Sequence, residues 1–272
     1  MASISRLTIL GAGNIGLAIA NGLTQSGKFA AENITLTRRK VNLLDASKMQ
    51  GFHVTADNCK AVADSDIIIV AVEPQQIDAL LKEISPHLLP EKHVLISVVT
   101  GAGIEQIGRQ IGKPVPVVRA MPNTAISIRE SMTCLASNGA SQEAVKTAQS
   151  VFDTVGKTVI IGEEQMTAAT ALGACGIAFF LRAIRAASQG GIEIGFHSDD
   201  ALAIAAQTAR GAATLILNMK NHPEYEIDKV TTPRGCTIAG LNQMEHEGFS
   251  SAMIKGIVTS AEKADGLYVK KG

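Results

Sequence analysis

Short apolar runs alternate with longer amphipathic segments through the first half of the chain. The apolar runs predict strands, and segments of roughly 10–15 residues with helical spacing separate them. Residues 67–72 are apolar on both faces, as expected of a central strand covered on both sides. This alternation predicts βαβ units and a doubly wound parallel sheet. The predicted strands are residues 7–10, 34–37, 67–72, 94–99 and 115–118, with further candidates at 132–136 and 158–161.

The pattern becomes helical throughout after residues 162–164. We therefore predict two domains, an α/β domain over residues 1–163 and an all-helical domain over residues 164–272. The first predicted helix covers about residues 165–188, and the second follows the cap-like Ser198-Asp199-Asp200 and runs to about residue 219. After a polar loop come a helix over about residues 236–246 and a last helix after Ser250.

Alanine and glycine recur through the predicted helices, which allows their backbones to approach closely. The apolar stretch 166–187 carries Arg182 and Arg185, which suits a helix packed on another helix better than a lipid-facing span. These helices carry more apolar surface than one small domain can bury by itself, so we predict a homodimer through the helical domain. A monomer packed tightly on itself is the alternative.

Charge and cysteine usage narrow the class of partner. The 272 residues include 25 basic and 25 acidic side chains, so the formal net charge is +0. With no charged block, we predict no nucleic-acid and no membrane partner. The four cysteines and six histidines are dispersed without metal-ligand spacing, so we predict no metal and a cytoplasmic location.

A glycine-rich turn follows the first predicted strand and opens a helix. Its residues are Gly11, Ala12, Gly13, Asn14, Ile15 and Gly16. The strand before and the helix after are the context in which GxGxxG binds a dinucleotide. The first glycine permits the tight turn, the second lets backbone approach the pyrophosphate, and the third allows close helix packing. A glycine turn without a ligand is the alternative.

The end of the second predicted strand distinguishes the two nicotinamide cofactors. Enzymes that use NAD place an acidic residue there, where it binds the ribose 2′-hydroxyl. This chain instead has Arg38 and Arg39, which can pair with a 2′-phosphate. We therefore predict NADPH, with NADH as a second possibility and a solvated basic turn as the non-binding alternative.

Further cofactor contacts are expected where other strands end, because open α/β sheets bind ligands at the carboxyl ends of their strands. The candidates lie at the carboxyl end of a predicted strand or shortly after it, and proline stops two of the strands. They are Ala71, Val72, Glu73, Pro74, Thr100, Gly101, Met121 and Asn123.

One polar turn in the second half leads directly into a predicted helix. It runs over residues 230–240 and includes Pro233 and Gly235. The backbone N–H groups of about Gly235, Cys236 and Thr237 are donors at a helix start, and such a group can hold a carboxylate. A plain N-cap, in which Thr232 or Thr237 satisfies the helix end, is the alternative.

Several motifs together resemble the Δ1-pyrroline-5-carboxylate reductase family, in the same order and over nearly the whole chain. The last of them is close to the family's signature around its substrate loop. The motifs are GAGNIG, AVEPQ (71–75), VVRAMPNT (117–124), TALGACGIAFF (170–180) and VTTPRGCTIAGLNQME (230–245).

This resemblance implies a Rossmann domain followed by an all-helical dimerisation domain, often assembled further into decamers. It implies reduction of pyrroline-5-carboxylate to L-proline with NAD(P)H, the last step of proline synthesis. The family's substrate carboxylate corresponds to the amides of Gly235, Cys236 and Thr237, with Thr232 nearby. The Thr237 hydroxyl matches the group near the ring nitrogen, and Asn58 matches a position that touches the cofactor.

The chain departs from the family pattern at four places. Glu73 replaces a usual lysine, Arg234 a usual glycine beside the substrate turn, and Ser131 a common glycine. Ala174-Cys175-Gly176-Ile177 stands where GSGP is typical. These changes leave the reaction class intact and put local geometry and discrimination among cyclic imines in question.

The reaction implied by the resemblance transfers a hydride from the nicotinamide to C5 of a cyclic imine. Among the motif residues, Thr237 can hydrogen-bond the imine nitrogen, but a hydroxyl is a poor acid unaided. We therefore expect proximity and orientation to supply most of the catalysis. The alternatives are a β-hydroxyacid dehydrogenase, which needs a lysine on the first long helix of the second domain, and a non-catalytic NADP sensor.

Overall fold

The computed structural model describes residues 6–137, 139 and 142–265. Its contacts divide the chain into two compact units. The first comprises the described residues up to Cys175 together with those from Ser260 onward, and the second is Gly176–Thr259.

Eight strands form one sheet in the first unit, in the order β3-β2-β1-β4-β5-β6-β7-β8. The first six follow the 3-2-1-4-5-6 order of a doubly wound dinucleotide-binding sheet. β1 lies between β2 and β4, with Ile9 opposite Leu36 and Ile69. The strands are β1 (Leu7–Leu10), β2 (Ile34–Thr37), β3 (His53–Thr55), β4 (Ile67–Val70), β5 (Val94–Ser97), β6 (Val117–Met121), β7 (Ser131–Ser137) and β8 (Gly156–Ile160).

The structure corrects several predicted strands. β4 and β5 end two residues early, because Ala71 and Val98 already begin the turns at the carboxyl edge. β6 lies two to three residues later than predicted, and β7 pairs with it antiparallel, so the sheet is not wholly parallel. The sequence prediction missed β3, a three-residue edge strand too short for a periodic pattern.

Helices cover both faces of the sheet because successive strand residues point to opposite sides. Leu7 and Ile9 belong to one buried cluster, whereas Leu10 belongs to the other. α1 and α6 contribute to the first cluster, and α3, α4 and α5 to the second. The helices of this unit are α1 (Asn14–Gln25), α2 (Asp45–Met49), α3 (Asn58–Ala63), α4 (Ile77–Ile84), α5 (Ile104–Ile111), α6 (Gln142–Phe152) and α7 (Met166–Ala169).

The helix predicted over residues 165–188 changes type along its length. A 3₁₀ turn at Glu163–Gln165 leads into α7, then a π-helix at Thr170–Cys175, and then α8 (Gly176–Glu193). Met166 packs in a cluster with Met121, which holds this segment against the sheet. The contact-defined units therefore divide after Cys175, whereas the sequence places the domain boundary between 163 and 164.

Helices make up the second unit. α8 and α9 approach closely, since a Cβ on Gly191 would lie 3.0 Å from that of Ala201. The predicted polar loop before Cys236 was wrong in part, because Pro223 at the first helical turn and His222 as N-cap start an additional helix there. Its helices after α8 are α9 (Ser198–Met219), α10 (Pro223–Val230), α11 (Cys236–His246) and most of α12 (Phe249–Asp265).

Large apolar side chains remain exposed on the second unit. Phe180 on α8 is 62% exposed, and Leu217 on α9 is 70% exposed. Among the described residues, one helical run, Glu163–Glu193, is long and apolar enough to cross a membrane, judged by length and composition alone. An apolar surface of this extent marks a region that packs against a partner and disfavours a self-contained monomer.

A buried histidine lies at the amino edge of the sheet. His93 precedes β5, is 1% exposed, and accepts the Leu89 N–H at Nδ1 over 3.0 Å. Burial, and then the charge of Lys92, lower its pKa from 6.5, with Asp66, the Ser65 backbone and Glu91 opposing them. The folded state therefore favours neutral His93, whose Nδ1 can accept this bond only when unprotonated.

We expect His93 to make folding stability fall as the pH drops below about 6.5. In that range the unfolded chain binds a proton that folded His93 resists. His93→Gln should flatten the pH dependence of urea unfolding between pH 7 and pH 5, relative to wild type. His87→Gln, which changes an exposed histidine, is the matched control. Equal pH slopes in wild type and His93→Gln would contradict the assignment.

Candidate functional site

The crevice between β1 and β4 is where the sheet order reverses, the position at which doubly wound sheets bind ligands. Gly11 turns out of β1 with φ +96. A Cβ on Gly11 would lie 2.8 Å from the Ala71 carbonyl oxygen and 2.7 Å from Val72 Cγ1. A side chain is therefore excluded, which gives Gly11 the role expected of the first glycine.

The start of α1 is open to a ligand. Gly13 is its N-cap, no side-chain cap is formed, and the first turn carries no acidic residue. A methyl group on Gly13 would meet no described atom within 4 Å, whereas one on Gly16 would lie 2.6 Å from the Gly11 carbonyl oxygen. The turn thus leaves space outside Gly13 and packs tightly at Gly16. Its helical N–H groups and positive dipole end suit a diphosphate.

The structure places Arg38 against this turn. Its Nη1 donates to the Ala12 carbonyl oxygen over 3.3 Å, and its backbone N–H donates to Thr55. Arg39 is exposed beside it. Two guanidinium groups therefore lie after β2, on the side of the glycine turn that suits a ribose 2′-phosphate.

The predicted positions after β4 and β5 reach the same edge of the sheet. Ala71 is buried against the glycine turn, and Glu73 is exposed and accepts a bond from Gln76 Nε2 over 2.9 Å. Pro74 begins a 3₁₀ turn, and Gly101 makes a turn at φ +83 beside the half-buried Thr100. The carboxylate at position 73 is thus engaged within its own turn.

Two residues predicted to contact the cofactor lie at the end of β6 and just after it, and both have structural partners. The Met121 side chain is buried in a core cluster, so it presents backbone rather than side chain to the edge. Asn123 caps a 3₁₀ helix by accepting from the Ala125 N–H, and its Nδ2 donates to the Gly173 carbonyl oxygen over 3.2 Å. Its own N–H donates to Ser131 Oγ, so the serine at a common glycine position holds this turn.

Asn58 lies at the first position of α3, where its Nδ2 donates to Glu83 Oε1 over 3.2 Å. The capping role at this helix start belongs to Asp57, which accepts the Lys60 N–H. The cofactor contact expected of Asn58 from the family resemblance stays a prediction.

A buried ion pair that the sequence analysis did not identify lies on the α5 face of the sheet. The Arg119 side chain, on β6, is 9% exposed and lies 3.4 Å from Glu163 Oε1. The same oxygen accepts the Ile104 N–H at the start of α5 over 2.6 Å. Burial lowers the pKa of Arg119, and the Glu163 carboxylate opposes that shift. An arginine inside an otherwise apolar strand was the available signal.

The turn before α11, in the second unit, has an uncapped helix start. Gly235 is the N-cap without a side-chain cap, which disfavours the plain capping role considered for Thr232 and Thr237. The Gly235 N–H donates to the Thr232 carbonyl oxygen over 2.9 Å, so the donors left for a ligand are those of Cys236 and Thr237. The substrate contact expected of the amides of Gly235, Cys236 and Thr237 stays a prediction.

Arg234, at the position where the family resemblance leads us to expect glycine, has a φ of +60, a backbone conformation that favours glycine. Its side chain is exposed next to the open helix start. Within the described part of the chain, no group of three or more metal-ligating side chains comes together.

The comparisons with known proteins agree with this geometry. Residues 163–267 match the family described as pyrroline-5-carboxylate reductase dimerisation, and residues 6–101 match NADP oxidoreductase, coenzyme F420-dependent. Pyrroline-5-carboxylate reductase 2 of Dictyostelium discoideum is 47% identical over 95% of this chain and 91% of that protein. The chain belongs to the pyrroline-5-carboxylate reductase family. Pyrroline-5-carboxylate reductase 1 of the same organism is 55% identical over 97% of this chain, which spans 50% of that protein's length.

Solved structures of pyrroline-5-carboxylate reductases share the fold. The enzyme from Coxiella burnetii has a TM-score of 0.89 and 28% identity, covering 98% of this chain and 100% of that chain. The Plasmodium falciparum enzyme, solved with NADP bound, has a TM-score of 0.86 and 23% identity over 97% and 98%. The predicted fold class is confirmed, and the match of residues 163–267 to the dimerisation family supports homo-oligomerisation.

The contrast between Gly13 and Gly11 gives a test of the reductase cofactor site. Gly13→Ala should leave the fold intact, because φ −86 suits alanine and its methyl has open space, but should weaken NADPH binding about tenfold or more. Gly11→Ala should instead destabilise the fold by about 3 kcal/mol through strain at positive φ. Fluorescence titration and thermal unfolding measure the two effects. Unchanged NADPH affinity in Gly13→Ala would contradict the site.

Proposed function

We propose that the chain reduces Δ1-pyrroline-5-carboxylate to L-proline with NADPH, the final step of proline biosynthesis. The observation that carries the proposal is the open α1 start at the β1–β4 crevice of a pyrroline-5-carboxylate reductase fold. Relatives of that name align over nearly the whole chain. When bound, the reduced nicotinamide supplies the hydride that imine carbon C5 accepts.

The residues after β2 support NADPH over NADH. Arg38 is oriented by its bond to Ala12, and Arg39 is free to fork onto a second anionic oxygen. A 2′-phosphate would meet two cations here, whereas a 2′-hydroxyl would lack the acidic acceptor that NAD enzymes provide. The NADP in the Plasmodium falciparum structure is consistent with this assignment.

The substrate carboxylate is proposed to bind at the start of α11. The Cys236 and Thr237 N–H groups and the helix dipole provide its donors, with Thr232 beside them. Arg234 adds an exposed cation next to the same turn, which suits an anionic substrate. The Gly235 backbone shapes the turn, because a Cβ there would lie 2.5 Å from Thr232 Oγ1.

The proposed reaction requires little acid–base catalysis from the protein. The Thr237 hydroxyl is proposed to hydrogen-bond the imine nitrogen, while the proton arrives with the iminium or through water. Positioning of two reactants can supply on the order of 7–11 kcal/mol, so we assign most of the rate to orientation. α8 carries Arg182 and Arg185 and contains no lysine, which disfavours the β-hydroxyacid dehydrogenase alternative.

The assembly is proposed to be at least a homodimer through α8 and α9, with a decamer as a further stage. Their exposed apolar side chains are the surface that a second copy would cover. A cytoplasmic location, with no membrane or nucleic-acid partner, remains part of the proposal. Sedimentation of the purified protein tests the assembly, and a stable monomer would contradict it.

Purified protein should oxidise NADPH when pyrroline-5-carboxylate is added, followed as loss of nicotinamide absorbance. Parallel assays with β-hydroxyacids and NADP⁺ should show no turnover. Thr237→Ala should lower kcat by less than about tenfold, because a positioning hydroxyl contributes little beyond one hydrogen bond. Turnover of hydroxyacids alone, or of neither substrate, would refute the proposed reaction.

Arg38→Ala combined with Arg39→Ala should raise KM for NADPH by about 10- to 100-fold, through loss of charge-assisted hydrogen bonds. KM for NADH should change by less than about threefold, since NADH has no 2′-phosphate to lose. Lys48→Ala, which removes one positive charge at an exposed lysine of α2, is the control for a change in surface charge alone. Equal effects on both cofactors would show that the arginines do not read the 2′-phosphate.

A further inference from the structure

We propose that Glu163 is a positioning residue for the nicotinamide half of the cofactor. One carboxylate oxygen of Glu163 joins two separate segments of the first unit, the start of α5 and the interior of β6. The inference rests on the proposed function, since it concerns how that same site is held.

Glu163 supplies the cap that α5 lacks locally. Gly103 is the N-cap of α5 and has no side chain with which to accept an N–H. Glu163 Oε1 accepts the Ile104 N–H over 2.6 Å from 59 positions along the chain, and its negative charge meets the positive end of the helix dipole. A tertiary contact therefore anchors the end of the turn that follows β5.

Arg119 holds the same oxygen from the sheet. It lies opposite Ser97, the last residue of β5, and shares the α5 face with Val117. Its side chain is 9% exposed and that of Glu163 is 24% exposed, so water screens the pair weakly. Together the two residues fix the distance between β6 and the start of α5.

The segments so joined belong to the nicotinamide side of the crevice. In a doubly wound sheet, each half of the strand order binds one mononucleotide. Arg38 assigns the adenine half to β2, which leaves the turns after β4, β5 and β6 for the nicotinamide. Thr100 and Gly101 precede the anchored start of α5, and Asn123 follows β6.

Loss of this anchor should affect one half of the cofactor more than the other. Hydride transfer is sensitive to displacement, since a shift of about 1 Å at a distance from the chemistry can cost on the order of 100-fold. The adenine half, bound at α1 and the arginines after β2, should be indifferent to Glu163. A general loss of folding would weaken both halves alike.

The test compares two ligands in two variants by isothermal titration calorimetry. Glu163→Ala should weaken NADP⁺ binding about tenfold and leave adenosine 2′,5′-bisphosphate, the adenine half alone, within about twofold of wild type. kcat at saturating NADPH should fall by at least about tenfold. Glu163→Gln, which keeps an acceptor for the Ile104 N–H, should recover part of both losses.

Glu164→Gln changes the neighbouring exposed carboxylate and should match wild type in every measurement. If Glu163→Ala does not fold, Glu163→Gln alone decides through the same comparison of ligands. Equal weakening of both ligands, or no change in either, overturns the inference. Failure of the wild type itself to bind NADP⁺ or reduce the imine would instead refute the proposed function.

Discussion

The candidate cofactor site depends on one constraint, the close approach of the glycine turn after β1 to the end of β4. Gly11 has a positive φ, and a Cβ on it would lie within 3 Å of the Ala71 backbone, so this approach is possible only without a side chain. Because β1 and β4 are neighbours in the sheet, this approach holds the glycine turn, and with it the start of α1, at the end of β4. The arginines after β2 and the turns after β5 and β6 are then on opposite sides of one opening.

The N-terminal ends of the helices in this protein differ in how they are capped. Asp57 caps α3, His222 caps α10, and Glu163 caps α5 from a distant part of the chain. α1 and α11 begin at glycine without a side-chain cap. An uncapped start does not by itself indicate a ligand, since α9 also begins without one. What distinguishes α1 is its position at the reversal of strand order, and what distinguishes α11 is the family motif around it.

Periodicity predicted those parts of the fold that local pattern determines. β1 and β2 were predicted to the residue, because apolar alternation ends where a turn residue begins. The strand predicted over residues 67–72 extends two residues beyond β4, because an apolar run does not show where strand pairing stops. α10 was missed because its eight residues are largely polar and depend on a proline start and a cap. The glycine turn was predicted because the residues that form it are adjacent in the sequence.

Long-range contacts were not predicted, because sequence patterns relate only residues that are close together in the chain. The bond from Glu163 to Ile104 spans 59 positions, and no spacing rule relates them. The structural effects of the departures from the family pattern were likewise not predicted from the sequence. Ser131 gains a bond to Asn123, and Arg234 adopts positive φ at a strain of roughly 1–2 kcal/mol. A backbone held in a glycine geometry by an arginine must be determined by its surroundings rather than by its own preference. Arg234 therefore places a positive charge beside the uncapped start of α11 while its backbone keeps the positive φ that this turn requires.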